Sequence, residues 1–543
     1  MKIRSRGSRH LYLILTILLG AIASAVGIGM AAAIVLLRPN HDANSLQVTS
    51  PRVTSPQVAS LQVASLQLGG PASASAGDMF TVTVTAQDAQ GKTASGYTGT
   101  VHFTSSDALA VLPANYAFTS TDKGAHTFSV TLTTVGSQTV TATDTVTGSI
   151  SGSAAVSVSA TTGTSYYVST TGSDSSAGTL AAPFRTIAHA LTLLKPGDTL
   201  YIRGGTYAEA LINDIPSGTS WNAPVTISAY GSEVVTLEAP STSSYPIKMH
   251  GSYQYIIISH IIFDAVNLPR DSSGRGAVGV YISSDSSAGI PTHLRFTGCE
   301  IKNAPASGLL VEAAAGAPSD IQILNCSMHD NGANILDHGI YISGNNVLVD
   351  HCRIYNNQGF GVQIYDGTTN SSSVCSNNVI SNNIIYGNAR YNSGGAGIIV
   401  DTGDNNVVYN NVIYNNNNGY GIRVDAQAKG TLIYNNTVTG NPGGALLIGY
   451  DDNTTSGTVV RNNILYHNGS NDIINYGTGT IADHNTLNST DPLFVDAANN
   501  NYQVQAGSPA IDAGLTLSLV TTDINGKSRP AGSYTIGAYQ YAT

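Results

Sequence analysis

The chain has 543 residues, a formal net charge of -10 and only 10% charged residues. Its length exceeds one ordinary core, so two or more domains are expected, and its acidic balance argues against nucleic acid as a partner, which would favour a basic patch. Four cysteines (Cys299, Cys326, Cys352, Cys375) in a chain of this length make no disulfide framework, and the abundance of Gly, Asn, Ser, Thr and Tyr suits an extracellular β-rich protein.

Residues 1–10 carry Lys2, Arg4, Arg6 and Arg9, and an uninterrupted apolar run follows over 11–37. That run is long enough to cross a bilayer as a helix, and the preceding cations place the N-terminus in the cytoplasm and the bulk outside. A cleaved signal peptide is the rival reading, with Ala23-Ser24-Ala25 as the small-residue site. Cleavage there would leave apolar Val26 to Leu37 on the mature N-terminus, so a single-pass membrane anchor is preferred. Residues 38–66 contain the pentapeptides Leu46-Gln-Val-Thr-Ser, Pro51-Arg-Val-Thr-Ser, Pro56-Gln-Val-Ala-Ser and Leu61-Gln-Val-Ala-Ser. Short of charge and unable to build a core, they read as an extended, disordered linker.

Over 67–160, short alternating strands recur at regular spacing, beginning at Phe80, Thr100, His126 and Gln138, with Gly- and Asp-containing turns between them. This is the pattern of a small β-sandwich. The stretches Gly96-Tyr97-Thr98-Gly99-Thr100-Val101-His102-Phe103 and Thr141-Ala142-Thr143-Asp144 resemble the bacterial immunoglobulin-like modules of cell-surface proteins. The resemblance implies a spacer or adhesive role.

From Ser165 the character changes. A short amphipathic helix is expected from Pro183, ending near Lys195-Pro196-Gly197-Asp198, and Thr199-Leu200-Tyr201-Ile202 follows as a strand. Farther on, Cys299, Cys326, Cys352, Asn383, Asn411, Asn436 and Asn463 recur at spacings of 25 to 31 residues, each at a turn between two short alternating strands. A unit of this size cannot bury its apolar face alone and must stack on copies of itself. Stacked Asn side chains can hydrogen-bond along such a column, with Cys as a small buried filler. The cap at 165–209, the repeats and the terminal Asp491-Pro-Leu-Phe, Ser508-Pro-Ala-Ile-Asp and Arg529-Pro-Ala-Gly segments resemble right-handed parallel β-helix proteins of the pectate-lyase-like superfamily. The chain is thus expected to be all-β, with a right-handed parallel β-helix of about eight coils and a C-terminal closing segment over 165–543.

The resemblance implies that a polysaccharide lies along the outside of the first strand of each coil. With Ile340 and Ile342 facing inward, alternation puts two columns outward: Lys248, Tyr281, Leu310, Tyr341, Gln363, Ile399, Arg423, Leu447 and His250, Ser283, Glu312, Ser343, Tyr365, Asp401, Asp425, Gly449. Lys248, Gln363 and Tyr365 are the candidate substrate-binding residues; His338, Tyr341, Arg423, Asp401 and Asp425 are the candidate catalytic ones. Asp401 and Asp425, about 5 Å apart on adjacent coils, suit an acid/base pair or a cation such as calcium. Arg423 could neutralise a substrate carboxylate, and His338 could serve as general base or acid. The bland alternatives are solvated surface, Asp at turn caps and a histidine bonded to its own loop. The Asp-Pro-His-Asp run of alginate epimerases and the Asn-Thr-Asp and Arg-Ile-Lys motifs of polygalacturonases are missing. The expected function is an extracellular, monomeric polysaccharide lyase or epimerase acting on an acidic polymer. The alternatives are a glycoside hydrolase using Asp401 and Asp425, and a non-catalytic surface protein for glycan binding or adhesion.

Overall fold

The structure is a computed structural model that describes residues 63–541 except 77–78, 108–109, 133, 160–162, 271–276, 367–373, 392–393, 451–453 and 470–471. The expected anchor and nearly all of the expected linker lie outside the described residues. Among the described residues no helix is long and apolar enough to cross a membrane.

A β-sandwich comes first. Val63–Gly69, Met79–Asp88 and Ala125–Thr131 form an antiparallel three-stranded sheet. Ser73–Ser75, Ser151–Ser159, Gly136–Asp144, Thr100–Ser105 and Tyr116–Ala117 form a five-stranded one. Period-two alternation sends Val82, Val84 and Ala86 inward, where they join Val101, Phe103, Val140 and Val156 in one core. The sandwich begins at Val63, four residues before the expected boundary, because the strand that carries Leu66 and Leu68 into that core starts within the last pentapeptide.

The remainder is a parallel β-helix of three sheets with 12, 10 and 10 strands. Each coil passes through them in order, as in Thr199–Ile202, Gly205–Tyr207 and Leu211–Ile212. The third sheet counts ten strands rather than about eight, because the three coils at the N-terminal end lack the Cys/Asn signature of those that follow. Inward residues stack on their own kind: Ile340, Val362, Ile398, Ile422 and Leu446 form one fully buried row. At the N-terminal end, a helix covers the first coils. It is shorter than expected (Ile187–Leu191), capped by Thr186 and by the Glu209 carboxylate, which accepts the Ile187 and Ala188 N–H groups.

The turn between the first and second sheets explains the repeat. Its bend residue is left-handed in successive coils, at φ of 53° in Asn325, 53° in His351, 55° in Asn382 and 55° in Asn410, a region Asn tolerates. The following residue points inward. Asn383, Asn411, Asn436, Asn463 and Asn485 form a continuous side-chain ladder, each Nδ2 donating to the next Oδ1 at 2.9–3.0 Å. Cys299, Cys326 and Cys352 extend it, each sulfur accepting the N–H of the preceding ladder residue at 3.4 Å where the next member is Cys. All four cysteines are free and buried. A second ladder, Asn331, Asn357, Asn388, Asn416, Asn441 and Asn468, runs at the turn into the third sheet with Nδ2 to Oδ1 distances of 2.8–3.0 Å. The C-terminal segment lies along the flank of the coils. Tyr502, Ile524 and Ala538 pack on Val412 and Tyr414, and buried Arg529 donates to Asn410 Oδ1 at 3.1 Å.

Candidate functional site

The outward columns of the third sheet are in the expected register. Lys248, Tyr281, Leu310, Tyr341, Gln363, Ile399, Arg423 and Leu447 pair in succession across neighbouring strands. In the second column Ser343, Tyr365, Asp401, Asp425 and Gly449 continue it, their N–H groups donating to Val311, Ile342, Ile364, Val400 and Val424 carbonyls. Toward the C-terminal end the face is covered, with Ile399 buried against Phe360 and Ala396.

A cavity of about 660 Å³ opens over the middle coils. Leu310, Tyr341 and Gln363 form its floor; Ser307, Glu312, Ser343, Tyr365 and Asp366 line it; and Leu336, Asp337 and His338 wall one side. The wall is built by the loop before Ile340–Ile342. Asp337 anchors that loop, its carboxylate accepting the Ala333 and Asn334 N–H groups at 2.8 and 3.0 Å. Gly359 lets the next coil pass beneath it: a Cβ there would lie 2.5 Å from both His338 Nδ1 and the Ile335 oxygen.

His338 is 1% exposed rather than sitting at an open strand mouth. Its ring stacks on Phe360 (centroids 4.8 Å, 3°) and lies 5.6 Å from the Tyr341 ring. Nδ1 accepts the Phe360 N–H at 3.0 Å, while buried Nε2 has no hydrogen-bond partner. Burial pushes its pKa down to about 3, outweighing the upward pull of the Gln363 amide. A ring whose only lone pair already holds a backbone N–H is poorly suited to be a general base. Tyr341 differs from the expectation only in depth. Burial raises its phenol pKa, so it keeps its proton.

Arg423 and Asp425 are joined to each other. Arg423 Nε donates to Asp425 Oδ2 at 2.8 Å, a second guanidinium nitrogen lies 2.5 Å from the same oxygen, and Nη1 donates to the Gly394 oxygen at 2.7 Å. Asp425, 1% exposed, also accepts the Tyr450 N–H at 3.0 Å. The guanidinium is therefore already neutralised within the chain. Asp401 accepts from Gln363 Nε2 at 2.7 Å, which holds the amide over the cavity floor. The Asp401–Asp425 pair does not fit calcium, since Arg423 occupies one carboxylate, and among the described residues no three His, Cys, Asp or Glu side chains gather as a metal site.

Lys248 is placed differently. Its ammonium lies 5.3 and 5.5 Å from the ring centroids of Tyr245 and Tyr281, which stack 4.9 Å apart. The Tyr281 hydroxyl donates to Glu312, so this cluster joins the cavity lining. Nearby, His250 bridges Ser283 Oγ (2.7 Å) and Asp285 Oδ2 (3.2 Å), but Ser283 is fully buried and no nucleophile is presented. Sequence reasoning had Glu312 in a column without a role and missed Ser307, Asp337 and Asp366. These are loop residues, whose side-chain directions no periodicity fixes.

Residues 166–337 match the family model described as "Pel9A-like, right handed beta helix region". The uncharacterized protein YwoF of Bacillus subtilis is 30% identical over 364 residues, which span 61% of this chain and 74% of that protein. Pectate lyase PEL9 of Emericella nidulans is 35% identical over 86 residues, only 16% of this chain and 21% of its own length. The crystal structure of pectate lyase Pel9A superposes with a TM-score of 0.51 at 18% identity, covering 70% of this chain and 96% of that one, a likeness of fold. The chain belongs to one family with YwoF, and its residues 166–337 form a Pel9A-like right-handed β-helix region.

Proposed function

We propose that this protein acts on a polysaccharide, as a lyase or epimerase on an acidic polymer that lies along the outward columns of the third sheet. The observation that carries this reading is the coincidence of the cavity with the Tyr341, Gln363 and Tyr365 stretch of those columns. Tyrosine ring faces, a fixed amide and two serine hydroxyls suit a sugar unit. Lys248, which has no carboxylate partner among the described residues, lies three coils or about 14 Å from Tyr341 and meets a uronate carboxylate in place of Arg423. Tyr341, which holds its proton, is the acid; the Glu312 and Asp366 carboxyl groups are the proton acceptors within the cavity. The names of pectate lyase PEL9 and pectate lyase Pel9A support the acidic polymer.

The presence of two carboxyl groups in one cavity favours glycoside hydrolysis as a second reading. Incubation with pectin, alginate, glycosaminoglycans and xylan separates them. New ultraviolet absorbance identifies a lyase, a changed uronate composition without cleavage an epimerase, and reducing ends without absorbance a hydrolase. Binding without turnover leaves a glycan-binding surface protein. Tyr341→Ala should abolish whichever signal appears, and no binding to any polymer would refute the proposal. The same proposal includes a membrane anchor at 11–37, an extracellular body and an immunoglobulin-like spacer at the sandwich, tested by membrane fractionation and protease shaving of intact cells.

A further inference from the structure

One buried polar atom at the cavity makes no hydrogen bond of normal geometry, Nε2 of His338, which has the Gln363 amide beside it. The tautomer follows from the backbone. Nδ1 accepts the Phe360 N–H at 3.0 Å, so Nδ1 carries no hydrogen and the neutral ring must carry its proton on Nε2. A half-turn of the ring about Cβ–Cγ would set the carbon Cδ2 against the Phe360 N–H, so the hydrogen bond fixes the ring orientation within the Phe360 stack. His338 N–H is held as well, donating to Ser307 Oγ at 3.0 Å. A buried donor without a well-placed acceptor is destabilising, and one on a residue that lines a cavity is a group that a bound ligand can complete. Protonation on both nitrogens would break the Phe360 contact and place a charge at a site that is 1% exposed.

We infer that His338 is a permanently neutral hydrogen-bond donor of the sugar site, its Nε2–H directed at an oxygen of the saccharide seated over Tyr341. The inference rests on the polysaccharide reading. The acceptor has two sources, a sugar hydroxyl or a uronate carboxylate, and both present the same oxygen chemistry to an N–H. His338 then fixes the unit's orientation and takes no part in proton transfer.

Two measurements test it on the purified full-length protein. In long-range proton–nitrogen spectra of protein labelled at histidine, the signals lost in His338→Phe identify the ring. An Nε2–H tautomer unchanged between roughly pH 5 and 8, where an ordinary histidine titrates, is expected; an Nδ1–H tautomer, or a ring that titrates in that window, overturns the inference. Binding of oligogalacturonate and of a neutral xylo-oligosaccharide is then measured by calorimetry. His338→Phe keeps an aromatic ring for the stack and should weaken the sugar that binds by about tenfold, the worth of one neutral hydrogen bond. His338→Gln, which restores an amide donor, should recover part of the loss. Oligogalacturonate as the binder identifies a carboxylate acceptor, the xylo-oligosaccharide a hydroxyl. Wild-type affinity in a folded His338→Phe overturns the inference while leaving the polysaccharide reading standing. Failure of the wild type to bind either sugar or any of the four polymers overturns both, with the tautomer spectra showing which part of the geometry survives.

Discussion

Asn411→Ala tests the physical claim on which the outward columns depend, that the asparagine ladder holds neighbouring coils in register. Asn411 has no exposed surface. Its Oδ1 accepts the Asn383 N–H and Asn383 Nδ2, both at 2.9 Å, and its Nδ2 donates to Ile380 O, Tyr409 O and Asn436 Oδ1 at 2.8, 3.0 and 3.0 Å. Truncation removes all five. Asn383 Nδ2 retains Val349 O and Asn436 Oδ1 retains the Asn411 N–H, but the Asn383 N–H loses its acceptor. One bare buried donor at about 1–3 kcal/mol, with several weakened neighbours at about 0.5–1.5 each, predicts a loss of about 3–5 kcal/mol. Cys352→Ala removes three longer and weaker sulfur contacts, with the Cys326 N–H at 3.4 Å and the Ile323 and Asp350 oxygens at 3.3 and 3.4 Å, and should cost about 1–2 kcal/mol. Urea denaturation gives the difference, and amide exchange locates it, because a solenoid passes a local loss first to adjoining coils. If Asn411→Ala costs no more than Cys352→Ala, or exchange rises uniformly along the helix, the ladder is not what fixes the register.

Three further outcomes follow from the site. Arg423→Gln leaves Asp425 buried without its cation and should cost about 3–5 kcal/mol in chemical denaturation, with Asp425→Asn in the same chain recovering most of it. Gly359→Ala drives a Cβ against His338 Nδ1 and the Ile335 oxygen, so thermal melting should show a loss of about 1–3 kcal/mol together with weaker saccharide binding. His338 supplies an acid limb. Its folded pKa of about 3 lies below the roughly 6.5 of an unfolded histidine, so the unfolded chain binds the proton first. Its contribution is complete above about pH 6.5 and declines as pH falls toward 3, and melting curves of His338→Gln should be flatter over that window.

The coil architecture was legible because each strand obeys period-two alternation and each coil repeats one turn. Placing Ile340 and Ile342 inward was enough to set the whole column from Lys248 to Leu447. The Cys and Asn positions were legible as a stack for the same reason, since only a small inward-pointing side chain follows a left-handed bend there. The second ladder, from Asn331 to Asn468, was missed because its turns run into loops of unequal length. Periodicity was silent on side-chain partners: it put Arg423 and Asp425 two residues apart on one face but said nothing of their closing on each other. His338 precedes its strand, outside the alternation, and its depth is set by the loop folded over it and by Phe360 of the next coil. The fate of the C-terminal segment was likewise beyond the repeat, since its contacts with Val412, Tyr414 and Asn410 join residues about a hundred positions apart.

These differences have one physical origin, and it bears on how such a fold acquires chemistry. The ladders and isoleucine rows fix the backbone so that outward Cα positions recur at about 4.8 Å regardless of which side chains occupy them. A repeating polymer can lie along such a track, yet the track alone distinguishes nothing. Discrimination must come from where the repetition fails. In this chain it fails at the loop of 331–338, which lifts a wall over Tyr341 and buries an imidazole with one nitrogen unpaired. It fails again where Phe360 covers Ile399, ending the open face. Between the Tyr245–Tyr281–Lys248 cluster and that cover, the accessible track spans Lys248 to Gln363, five strands or about 19 Å from first to last. On the proposed function, a polymer bound there is held over a few units with the Lys248 cation at one end, Glu312 on the middle strand and Asp366 at the other end. That asymmetry gives the bound chain a direction, which a uniform solenoid face could not.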